Sequence, residues 1–67
     1  MVGQNMQNIR IGNRIRRARK REKMTQKELA ARIGKTANSV SMYERGLVSI
    51  PKVVLDQIAF VLEKFRA

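Results

Sequence analysis

At 67 residues the chain has room for one small domain, and its 15 Lys and Arg against five Asp and Glu leave a formal charge of +10 and a pI near 11.5. So basic a balance points to a polyanionic partner. The absence of cysteine and histidine removes disulfides, thiolate and imidazole metal ligands and most nucleophilic and acid-base chemistry, so no enzyme, metal site or cofactor is expected.

The first eight residues, MVGQNMQN, carry no periodic apolar pattern and are read as a flexible N-terminal arm, with the domain occupying 9–67. They lack the basic start and apolar core of a signal peptide, and no apolar run approaches the roughly 18 residues that a membrane span requires. A cytoplasmic location with no membrane partner is the expectation. Helix 1 is predicted from about Ile9 to Glu22, with Ile11, Ile15 and Ala18 recurring at helical spacing. Seven of the ten residues from Arg14 to Lys23 are basic, which suits either a solvated face or a field that attracts phosphates.

Residues 25–46, TQKELAARIGKTANSVSMYERG, are the most informative stretch. Thr25 and Glu28 have capping-box spacing, with Met24 and Leu29 at the two staple positions, so a helix should begin at Thr25. Leu29, Ala30 and Ile33 share its apolar face, and Gly34 can stop it in a left-handed conformation without steric cost. Two residues later Thr36 can cap a third helix over about 37–45. Its apolar Val40 and Tyr43 must face the second helix, which directs Ala37, Asn38, Ser41, Met42 and Arg45 elsewhere. Two short helices joined by so tight a turn suit entry into a DNA groove. After Gly46 and a short loop, Pro51 can occupy the first turn of a fourth helix. There Leu55, Ile58, Ala59 and Leu62 form the expected core stripe, while Val53, Val54, Phe60, Val61 and Phe65 make other faces apolar as well.

The order Ala30, Gly34, Val40, together with Arg19, the TQKELA start, the SVSMYERG segment and the late Leu55, Ile58, Ala59, Leu62 pattern, resembles the lambda-repressor-like, Cro/C1-type (XRE family) DNA-binding domain over roughly residues 9–62. Lys35, where many members carry an apolar turn residue, and the early Pro51 depart from the family pattern. The resemblance implies an all-α, compact domain of four to five helices with a helix-turn-helix. It implies further that helix 3 enters the major groove through its N-terminal residues. The base-reading candidates are then Ala37, Asn38, Ser41 and Met42. The amide of Asn38 can accept from adenine N6 and donate to N7, and the rival reading makes it a helix-start residue satisfying local backbone donors. Met42 is equally a thymine-methyl contact or a packing residue.

Phosphate contacts are expected from Gln26, Lys27, Lys35, Thr36, Ser39, Arg45 and Arg19. Gln26 sits where the first amides of helix 2 can receive a phosphate, and in the family it also braces the first residues of the recognition helix. The arginine matching Arg19 pairs in the family with the glutamate at Glu44, near the DNA backbone. As an exposed pair it would contribute only about 0–1 kcal/mol to folding. The apolar excess of helix 4 calls for a second subunit, with Val48, Phe60, Val61 and Phe65 as the dimer surface. Such a chain is expected to be a sequence-specific double-stranded DNA-binding regulator, a homodimeric repressor on a near-palindromic operator. An antitoxin-type module with a toxin partner is the alternative.

Overall fold

The computed structural model describes residues 5–64, and among these the chain forms four helices: α1 (Met6–Arg21), α2 (Gln26–Ile33), α3 (Ala37–Glu44) and α4 (Lys52–Lys64). Among the described residues the fold is all-α. α1 begins at Met6, three residues before the expected Ile9, because Asn5 caps it: Asn5 Oδ1 accepts from the amides of Gln7 at 2.7 Å and Asn8 at 3.3 Å. Apolar periodicity cannot register a polar first turn. The Asn8 side-chain Nδ2 then donates to Ser49 Oγ at 3.1 Å, tying the start of α1 to the loop before α4.

One device ends the first three helices. Met24 N–H reaches back to the Arg19 carbonyl and Lys23 N–H to that of Lys20; Leu47 N–H reaches Met42, and Gly46 N–H reaches Tyr43. Both are Schellman turns, and each needs a residue with positive φ at its hinge. Lys35 N–H likewise reaches Ala30 behind the left-handed Gly34. The hinge residues are Lys23 (φ 57°), Gly34 (φ 70°) and Gly46 (φ 73°), so Lys23 alone carries a side chain in the left-handed region.

The core is Ile15, Met24, Leu29, Ala30, Ile33, Val40, Tyr43, Val54, Ile58 and Leu62, with Ile11, Ala18, Val48, Ile50, Leu55 and Val61 packed against its edge. Met24 and Leu29 are both buried, as their staple positions require. Thr25 Oγ1 accepts from Glu28 N–H at 3.0 Å and Glu28 Oε1 accepts from Thr25 N–H at 2.7 Å, which completes the capping box.

α4 departs from the expected register. Its inward stripe is Val54, Ile58 and Leu62, each four residues from the next, while Leu55 is half-buried and Ala59 is exposed. A helix apolar on several faces does not declare which face packs, and only the position of α2 decides it. Pro51 stands just before the helix, where its carbonyl accepts from Leu55 N–H at 2.9 Å. Val53 and Phe60, seven residues apart and therefore on one face, each remain 64% exposed.

The crossing of α1 with the end of α3 depends on Gly12. A Cβ there would lie 2.6 Å from the Glu44 carbonyl oxygen and also against that of Tyr43. Backbone meets backbone at this point, which is the packing reason for a glycine in the middle of a helix.

Candidate nucleic-acid interface

α2 and α3 pack against each other across the turn at Gly34, and Ala37 and Asn38 at the start of α3 are left exposed. Thr36 caps α3: its Oγ1 accepts from Ser39 N–H at 3.1 Å and donates to Ser39 Oγ at 3.1 Å. That cap frees Asn38. Its side chain is exposed, and the one hydrogen bond it makes among the described residues is a long donation from Nδ2 to Met42 Sδ at 3.7 Å. The rival reading of Asn38 as a residue occupied with local backbone donors therefore fails. Its carboxamide oxygen accepts no hydrogen bond among the described residues, as a groove contact would require.

Around Asn38, Ala37, Thr36, Lys35 and Arg45 are exposed, while Ser39, Ser41 and Met42 are half-buried. Met42 is thus neither a core residue nor a free one, lying against the Asn38 amide. On α2, Lys27 is exposed and Gln26 half-buried. The structure thus brings the expected base-reading set to one helix, with Lys35 and Arg45 at its two ends.

Two expectations need correction. Arg19 is not in an exposed pair: Arg19 and Glu44 retain 8% and 4% of their accessible surface. Arg19 Nε donates to Glu44 Oε2 at 2.6 Å, Nη2 to Glu44 Oε1 at 3.0 Å, and Nη1 to the Met24 carbonyl at 2.8 Å. Each nitrogen of the guanidinium makes one hydrogen bond inside the protein, so Arg19 is an internal brace of α3. Gln26 also braces differently, since its Nε2 donates to Glu44 Oε1 at 3.1 Å, at the last residue of α3 and not at its first. Arg19 from α1, Gln26 from α2 and Glu44 from α3 therefore form one hydrogen-bonded cluster that fixes the far end of α3 to both neighbours. Among the described residues no buried side-chain polar atom lacks a partner.

Of the expected dimer residues, Phe60 is exposed, Val48 and Val61 are half-buried against the core, and Phe65 lies outside the described residues. No helix among the described residues is long and apolar enough to cross a membrane. The Glu28 carboxyl is held below its ordinary value by the Thr25 amide and hydroxyl, with a smaller contribution from Arg32.

Comparison with known proteins agrees with this geometry. Neither a curated protein nor a solved structure matches the chain. A family profile described as helix-turn-helix matches residues 15–63, which spans α2, the turn, α3 and nearly all of α4. The tight turn at Gly34, the exposed start of α3 and this match together make the chain a member of the Cro/C1-type (XRE) helix-turn-helix family of DNA-binding regulators.

Proposed function

We propose that the protein is a transcriptional repressor that binds a near-palindromic double-stranded operator as a homodimer, with α3 in the major groove of each half-site. The observation that carries this reading is the exposed, uncapping carboxamide of Asn38 near the start of α3. Asn38 pairs with adenine through N6 and N7, and Ala37 and Met42 meet thymine methyl groups, with Ser41 beside them. Gln26, Lys27, Lys35, Thr36, Ser39 and Arg45 hold the flanking phosphates, and the remaining basic surface supplies a long-range attractive field. Arg19 acts indirectly, by holding α3 through Glu44.

The homodimer rests on apolar surface that one small core does not cover, Phe60 and Val53 above all. Selection of bound fragments from random duplex DNA, followed by a salt titration on the enriched site, tests the reading. A dimer making roughly 6–10 phosphate contacts should lose about 10³–10⁵ in affinity between roughly 50 and 200 mM salt. A flat salt response, or no enriched sequence, would contradict it.

A further inference from the structure

A groove of about 590 Å³ runs between α1 and α4 and draws none of its lining from α2 or α3. Arg14, Arg17 and Arg21 form its α1 wall, at spacings of three and four residues that place them on one helix face. Its apolar lining includes Ile11 and Ala18 on α1 and Leu55, Ala59 and Leu62 on α4. Among the described residues, Glu63 is the single acidic one lining it. Arg21 has Glu22 as an ion-pair partner at 3.3 Å, whereas neither Arg14 nor Arg17 has a hydrogen-bond or ion-pair partner among the described residues.

We propose that this groove is a protein-docking site whose occupant is an acidic amphipathic helix of a partner protein. Apolar side chains at helical spacing would sit on Leu55, Ala59 and Ile11, and carboxylates along their flank would meet Arg14 and Arg17. Local charge argues against a second copy of this chain in this groove, because it would set the same arginines against Arg14 and Arg17. The apolar floor argues against nucleic acid, because a phosphate backbone pairs with arginines but buries no aliphatic surface. Docking here leaves the exposed face of α3 uncovered, so a partner could bind while DNA is held.

The test uses the full chain and a fluorescein-labelled synthetic helical peptide with Leu at i, i+4 and i+7 and Glu on the adjoining positions. A second peptide of equal charge, with Ser replacing Leu, is the control. The leucine peptide should bind with amide shift perturbations at Ile11, Ala18, Ala59 and Leu62, and the serine peptide at least about tenfold more weakly. The double variant Arg14→Glu/Arg17→Glu, on exposed positions, should weaken the leucine peptide by at least about tenfold without changing the thermal melt. Ala59→Glu places a carboxylate in the groove itself and should do the same. Equal binding of the two peptides would reduce the groove to unspecific charge and overturn the proposal. Perturbations centred on Asn38, displacement of the peptide by duplex DNA, or a concentration-dependent dimer abolished by Ala59→Glu would equally overturn it, assigning the groove to nucleic acid or to a second copy.

Discussion

Arg19 and Glu44, twenty-five residues apart, form a two-point ion pair that is almost wholly shielded from solvent, with side-chain exposures of 9% and 2%. Burial changes what the pair contributes. An exposed pair is worth little, but removing one partner of a buried pair strands the other charge and typically costs about 3–5 kcal/mol. A core of this size rarely supplies more than about 3–5 kcal/mol, so Arg19→Ala should leave the chain largely unfolded near room temperature. Urea unfolding followed by circular dichroism measures it, with Arg19→Ala/Glu44→Ala as the partner experiment. The double variant should lose clearly less than the sum of the two single changes. A loss below about 1 kcal/mol for Arg19→Ala would mean that the pair behaves as a solvated one.

Lys23 occupies the hinge position that Gly34 and Gly46 hold in the other two turns. Left-handed backbone costs an L residue roughly 1–2 kcal/mol, part of which glycine gives back through the entropy of the unfolded chain. Lys23→Gly should therefore stabilise the domain by about 0.5–1 kcal/mol, a rise in Tm of about 2–8 °C. Lys23→Ala, which keeps the Cβ, should bring none of it. Differential scanning calorimetry of the three proteins decides the matter, and equal melting of the glycine and alanine variants would refute the strain argument.

The helix-turn-helix was legible in the sequence because its signals are local. Thr25 with Glu28, Gly34 and Thr36 are punctuation whose meaning depends on a few neighbouring residues, and each does what its spacing requires. What stayed hidden depends on residues far apart in the chain. The resemblance implies that Arg19 pairs with Glu44, but nothing near Arg19 announces that the pair will be buried and shared with the Met24 carbonyl. Gly12 looks like a weak point in a helix until the carbonyls of Tyr43 and Glu44 are seen lying over it. The register of α4 was ambiguous for a related reason: Val54 and Leu55 are equally apolar, and the choice between them is made by α2. A glycine inside a strongly charged helix was the one available sign of the α1–α3 crossing.

Glu28 provides a pH handle on α2. Its carboxyl is held below the ordinary value of 4.5 by the amide and hydroxyl of Thr25, so the folded state favours the ionised form. A carboxyl depressed on folding adds stability that is fully present above its unfolded pKa and is lost as pH falls through the folded one. Glu28→Gln should accordingly be less stable than the parent near neutral pH, and the gap should narrow as the pH falls below 4.5 and through the folded-state pKa. Urea midpoints measured at neutral pH and across the acid range report this directly, and a gap that stays constant would show that ionisation of Glu28 is not what the capping box uses.

The measurement that bears most directly on groove reading by α3 is the affinity of Asn38→Ala for the selected operator and for random duplex of equal length, at one salt concentration. Asn38 is exposed and caps nothing, so the variant should melt as the parent does. It should lose about 1–3 kcal/mol on the operator, relax preference at one base pair of each half-site, and bind random duplex almost unchanged. Equal losses on both duplexes would contradict the account, because they would make Asn38 a phosphate contact and leave base reading to other residues.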